Sequence, residues 1–155
     1  MNDSADLTQL DPAFEKVLRL RGVALAALVL AVALSAEAFS MLPTGLFALP
    51  ALALAVWLAL ISPPRRYRRW GYAFGPDRLR VVSGYLFYHD AVVPLGRIQH
   101  IDVDQGPILR RWGLAQLTVH TAGSHGASIV LPGLSMAQAE TIREAIRQHI
   151  RQALD

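Results

Sequence analysis

Apolar residues along this chain change their spacing twice. From Gly22 to Leu42, and again from Gly45 to Ser62, they run with almost no polar interruption. Each run approaches the roughly 20 residues that an α-helix needs to cross about 30 Å of hydrocarbon. Two membrane spans are therefore predicted, joined by the very short turn Leu42-Pro43-Thr44. A hairpin buried in a soluble domain would keep a polar stripe, and neither run has one. A cleaved signal peptide is a second rival, with Ala36-Glu37-Ala38 resembling a small-residue cleavage site. Against it, the segment before the first run is long and carries Asp3, Asp6, Asp11 and Glu15. Within the runs, Glu37 falls near an outer end where it can reach headgroup water, and Pro50 predicts a kink. Pro63-Pro64 predicts the end of the second span.

After Trp70 the apolar period becomes two. GYAF, RLRVVSG, YLFYHDAVVPL, RIQHIDVDQ, LAQLTVHTAG and GASIVLPG are short β-branched and aromatic runs broken by turn residues, which predicts an antiparallel meander. Alternation places Gln99, Ile101 and Val103 on one face of their strand and Ile98, His100 and Asp102 on the other. In the next strand Leu117, Val119 and Thr121 point inward, opposite Thr118 and His120. The period then lengthens: Ser135-Met136-Ala137-Gln138 has the pattern of a capping box, and Ala139, Ile142, Ile146 and Ile150 form one helical stripe. That stripe predicts a C-terminal helix lying over the sheet. Upstream, Asp11-Pro12 reads as a helix start, with Asp as the cap.

Charge adds orientation. Lys16, Arg19 and Arg21 precede the first run, Arg65, Arg66, Arg68 and Arg69 follow the second, and the turn between them has no basic residue. Basic flanks stay on the cytoplasmic side, so both termini are predicted to be cytoplasmic. Arg65 to Arg69, with Tyr67 and Trp70, form a predicted interfacial collar in which aromatic rings sit at headgroup level and guanidiniums meet phosphates. From Trp70 onward eight Arg face seven acids, so the net charge of +3 reports topology and lipid contact rather than nucleic-acid binding. The 53% hydrophobic content is inflated by the spans, and with no cysteine there is neither a disulfide nor a thiolate metal site. The predicted organisation is a mobile tail over 1–13, a two-helix hairpin over 14–62, an interfacial linker over 63–71 and one domain over 72–155.

A meander closed by one C-terminal helix has the order of a pleckstrin-homology-like barrel. The segment Val93-Pro94-Leu95-Gly96-Arg97-Ile98-Gln99-His100-Ile101, then Gln105-Gly106-Pro107, then Arg110-Arg111-Trp112-Gly113-Leu114-Ala115 makes the likeness specific. It resembles the bacterial pleckstrin-homology domain of the YdbS-like membrane proteins, once a family of unknown function, across residues 14 to 152. Gly96 stands where that family would have a small polar residue. The resemblance implies an α+β cytoplasmic domain, an antiparallel barrel of about seven strands capped by one helix, attached to the bacterial inner membrane. It also implies self-association or joining to a related membrane subunit, and no catalytic residue or cofactor. Inositide binding of the eukaryotic kind does not carry over, since the turns Gly75-Pro76-Asp77 and Ser83-Gly84-Tyr85 lack a basic cluster.

Candidate chemistry is sparse. The five His, at 89, 100, 120, 125 and 149, have no metal-ligand spacing, and His100 with His120 reads as a sheet-surface pair. No serine sits in a nucleophile elbow. The loop Thr121 to Gly126 joins two strands and opens no helix, so it reads as a hairpin loop rather than a phosphate cradle. Arg97 and Gln99 are the most informative polar residues, with Arg97 expected to clamp Asp102, Asp104 or backbone carbonyls. Pro94 belongs to the same motif. Gly106 to Gly113, with Arg110, Arg111 and Trp112, forms an amphipathic turn that can pack on the core, rest on the leaflet or meet a second subunit. The function expected is that of a non-enzymatic membrane protein presenting its domain for protein association, with a sensor of anionic lipid in membrane stress as the alternative. No small-molecule substrate is indicated.

Overall fold

The computed structural model describes residues 7–39, 45–84, 87–122 and 128–152. The chain divides into two units, one of Glu15–Tyr67 and one of Met1–Phe14 with Arg68–Asp155. The predicted turn at Leu42 to Thr44 and most of the loop at Thr121 to Gly126 lie outside the described residues.

The helical unit is drawn from α1 (Ala13–Phe39), α2 (Ala48–Val56) and α3 (Ser62–Tyr67), with a π-helical turn at Trp57–Ile61 between the last two. Ala13–Phe39 and Ala48–Tyr67 are both long and apolar enough to cross a membrane by length and composition. Along their apolar middles the buried positions are small, Gly22 and Ala26 on α1 and Ala51 and Ala55 on α2, whereas Phe14, Val17 and Pro63 are buried nearer the ends. Gly22, one turn before Ala26, lies so close to the π turn that a Cβ there would run into the Leu58 carbonyl and touch Pro63. Spacing small residues by four lets helix backbones approach closely.

Prolines act differently from the sequence expectation. Pro50 falls in the first turn of α2, where the missing N–H has no intrahelical partner to lose, so it starts the helix instead of kinking it. Pro63-Pro64 does not end the second helix, which runs on to Tyr67. The ladder changes first: the Ser62 amide donates to the Trp57 carbonyl, five residues back, and both prolines then occupy the first turn of α3. Glu37 also has a structural task. Its carboxylate accepts the Gly45 amide and, at 2.9 Å, the Ala48 amide, satisfying donors at the start of α2.

The second unit contains β1 (Gly71–Phe74), β2 (Arg78–Ser83), β3 (His89–Pro94), a 3₁₀ turn at Leu95–Arg97, β4 (Ile98–Asp104), α4 (Pro107–Arg111), β5 (Leu114–Thr121), β6 (Ser128–Ser135) and α5 (Met136–Gln152). The sequence predicts one closed barrel of about seven strands. The described residues instead form six strands in two antiparallel sheets, β1-β2-β3 and β4-β5-β6. The break has a local cause: Pro94 has no N–H to donate and the 3₁₀ turn redirects the chain, so the ladder does not continue from β3 into β4. Leu95, in that turn, is buried, and its amide donates to the Asp77 carbonyl at 2.9 Å.

Sheet faces follow alternation except at two register shifts, one between β4 and β5 and one between β5 and β6 at Ala115–Leu117. Ile101 faces Val119 and Val103 faces Leu117, as expected, but the register shifts between Ile98 and His100. Gln99 is the extra residue, exposed, and the shift moves buried Ile98 away from the face of His100 and Asp102 to which strict alternation assigns it. Leu114, Leu117, Val119, Leu131 and Leu134 fill the core under α5, whose Ala139, Ile142 and Ile146 are buried. The predicted capping box forms in both directions, Ser135 amide to Gln138 Oε1 at 3.0 Å and Gln138 amide to Ser135 Oγ at 3.2 Å.

The tail is the largest local difference. Residues 1–6 lie outside the described residues, but from Leu7 onward the segment is bound rather than free. Thr8 bridges Tyr72 through bonds of 2.7 and 2.9 Å, and the Asp11 amide donates to the Gly133 carbonyl at 3.0 Å. Asp11 Oδ1 then caps α1 on the Ala13 amide at 2.8 Å, as predicted. Gly133 has φ +68°, and a Cβ there would penetrate the Phe14 ring, so only glycine admits this docking. Leu10 and Phe14 are buried by it.

Candidate functional site

The predicted collar is divided by the fold. Arg65 and Arg66 are exposed on α3 and Tyr67 ends that helix, all within the helical unit. Arg68, Arg69 and half-buried Trp70 belong to the other unit. There they border a cavity of about 350 Å³ together with Leu7, Gln9 and Tyr88; Gly71, Val82 and Gly84 complete its wall. The Thr8–Tyr72 bridge holds Leu7 and Gln9 in place. On the opposite rim, the Tyr88 hydroxyl donates to Asp90 Oδ2 at 3.2 Å. Asp90 is engaged by Arg80, Nε to Oδ1 at 3.0 Å and Nη2 to Oδ2 at 2.6 Å. That bond holds the Asp90 carboxyl below its ordinary value. Among the described residues no acidic side chain lines the cavity itself. Beside Tyr88, itself 73% exposed, Phe87 is 84% exposed.

Sequence reasoning finds Arg68, Arg69 and Trp70 but does not connect them with Leu7, Gln9 or Tyr88. The tail has no apolar period to announce its pairing with β1. The signal for Tyr88 is the aromatic run Tyr85-Leu86-Phe87-Tyr88, which the period-two reading assigns to a strand; Tyr85 and Leu86 lie outside the described residues, and among the described ones β3 is His89–Pro94.

The second predicted group is spread over several elements. Pro94 ends β3, Arg97 closes the 3₁₀ turn and Gln99 is the bulge. Arg97 is exposed and makes no ion pair among the described residues, so it is not the clamp the sequence suggests. What it contributes is backbone: its carbonyl accepts the Ala122 amide at 2.9 Å. Asp102 binds histidines instead, with His100 Nε2 at 2.7 Å from Oδ1 and His120 Nε2 at 3.2 Å from Oδ2. His100 and His120 are register partners on the outer face, as a sheet-surface pair requires. Among the described residues no group of three or more His, Cys, Asp or Glu is disposed to hold a metal ion. In α4, Leu109 is buried, Ile108, Arg110 and Arg111 are exposed, and Trp112 with Gly113 closes the helix through amide bonds to the Leu109 and Arg110 carbonyls. Gln105 Nε2 donates to the Leu114 carbonyl at 3.0 Å and ties the ends of this turn together.

Comparison with known proteins agrees with this architecture. The chain is 28% identical over 149 residues to the transmembrane protein YdbS of Bacillus subtilis (strain 168), covering 92% of both chains. It is 30% identical over 94 residues to the transmembrane protein YdbT of the same organism, a match that covers 60% of this chain and 19% of YdbT. No solved structure matches it significantly. The profile of the bacterial PH domain matches residues 17–150, which takes in most of the chain, and the chain belongs to the bacterial PH domain family.

Proposed function

We propose that this protein is a non-enzymatic inner-membrane component whose helices Ala13–Phe39 and Ala48–Tyr67 cross the bilayer as a hairpin, with both termini cytoplasmic. In that position the PH-like domain is displayed at the cytoplasmic leaflet for association with a second copy or a related membrane subunit. The observation that supports association best is the open edge of β3. It pairs only with β2 among the described residues, and Val92 on it is exposed. An unpaired edge is a template for a strand from another chain. Anchoring confines the domain to a surface, so weak contacts gain effective concentration. The similarity to two transmembrane proteins of one organism is consistent with a related subunit as partner. Light scattering of the full chain in detergent tests this. The wild type is expected to be oligomeric or to retain a related subunit, and Val92→Lys to dissociate it; a wild type that is monomeric and partnerless overturns association.

A second reading, recognition of anionic lipid in a membrane-stress response, is supported by the exposed Arg65, Arg66, Arg68 and Arg69.

A further inference from the structure

We infer that the cavity between the tail and the first sheet is a seat for one anionic phospholipid headgroup, its phosphate held by Arg68 and Arg69. The proposal rests on the lipid reading and gives it a specific site. Three observations carry it. The cavity, at about 350 Å³, falls at the small end of the range of ligand pockets, a size suited to a glycerophosphate headgroup. Its lining combines two guanidinium residues with Trp70, Leu7 and Val82 and, among the described residues, includes no carboxylate; Asp90, bonded by Tyr88 at the rim, is engaged by Arg80. Arginine forks match phosphate oxygens, and apolar walls with aromatic rings suit the glycerol and upper acyl region.

The third observation selects a lipid over a soluble phosphate. Phe87 and Tyr88 stand almost wholly in solvent beside the cavity, an apolar exposure that a free anion does not use. Aromatic side chains at that level anchor a domain in the headgroup region, as Trp and Tyr do at membrane interfaces. Chain continuity adds a tether: Arg68 is one peptide bond beyond Tyr67, where the helix Ala48–Tyr67 ends. This seat is separate from the turn Gly75-Pro76-Asp77 between β1 and β2, which does not line the cavity.

The test uses the full chain in neutral detergent, titrated with short-chain phosphatidylglycerol, short-chain phosphatidylcholine or inorganic phosphate and followed by calorimetry. Phosphatidylglycerol is expected to bind at least about tenfold more tightly than phosphatidylcholine. The double variant Arg68→Gln, Arg69→Gln is expected to lose that preference, and the charge-matched control Arg147→Gln, Arg151→Gln to keep it. Tyr88→Glu, a change at a 73% exposed position, is expected to weaken phosphatidylglycerol binding as well while leaving the thermal unfolding temperature close to that of the wild type. Equal binding of the two lipids overturns the lipid reading itself. A preference that survives both cavity variants leaves the lipid reading standing and overturns this site. Inorganic phosphate binding as tightly as phosphatidylglycerol shows a soluble-anion site and overturns the lipid assignment.

Discussion

The two units bury opposite kinds of residue. In the helical unit the hidden positions within the apolar runs are Gly22, Ala26, Ala51 and Ala55, with Val17, Ser62 and Pro63 hidden near the helix ends, while Leu28, Val32, Leu34, Leu49 and Leu60 face outward. In the β unit the fully hidden side chains include Leu79, Leu95, Leu114, Leu117, Leu131, Leu134 and Ile146, and the outward positions are largely polar. Water rewards the second arrangement, because burying large apolar side chains removes their surface from it. The first makes physical sense only where the surroundings are as apolar as leucine, so that helices associate by close backbone packing and not by expelling side chains from solvent. On the proposed membrane placement, one short chain is built for two solvents.

Paired substitutions break or sharpen that contrast. Leu117→Ala and Leu134→Ala in the β unit are expected to cost about 2–5 kcal/mol each in thermal or denaturant unfolding. The same change at Leu28 or Leu60 is expected to cost less than about 0.5 kcal/mol, as at other surface positions. Equal costs at the two sets would remove the contrast. Gly22→Val is expected to destabilise the helical unit by about 1–3 kcal/mol in detergent, because the new side chain meets the Leu58 carbonyl. Unchanged thermal stability of that variant would show that the close approach does not matter. Ser135→Ala removes one half of the capping box on α5 and is expected to cost about 1 kcal/mol.

The smallest effect is a titration. Asp90, held below its ordinary value by Arg80, contributes stability that is complete above 3.8, the ordinary carboxylate value, and is lost as the pH falls through the lowered folded value. Because the pair is largely solvated, its contribution is expected to be roughly 0.5 kcal/mol, and Arg80→Gln is expected to abolish that part of the acid dependence. An acid profile identical in the variant would contradict the pairing.

Much of this architecture can be read from residue spacing. The two apolar runs, the strand cores, the capping box and the stripe on α5 are all local patterns, and local patterns survive folding. What spacing hides is long-range or parity-breaking. The bulge at Gln99 shifts Ile98 by one residue without changing composition. The barrel expectation fails at Pro94 and the following 3₁₀ turn, where a missing donor ends the ladder. Pro63-Pro64 reads as a stop only until the π turn before it supplies a new helix start. Of the candidate site, Arg68, Arg69 and Trp70 are legible as charge beside an apolar run. Their neighbours Leu7 and Gln9 are not, since a single bridge at Thr8 carries no period, and Arg97 misleads because an arginine between two strands looks like a clamp until its exposure is known.

The most direct test of the central claim is residue-by-residue accessibility in cells. The chain has no cysteine, so single substitutions Ser4→Cys, Thr44→Cys and Ala153→Cys each report one place. With a membrane-impermeant maleimide on bacterial spheroplasts expressing the full chain, Thr44→Cys is expected to be labelled in intact cells, and Ser4→Cys and Ala153→Cys only after permeabilisation. Labelling of either terminus in intact cells, or recovery of the protein in the soluble fraction, would contradict a membrane hairpin that holds its β unit at the cytoplasmic leaflet.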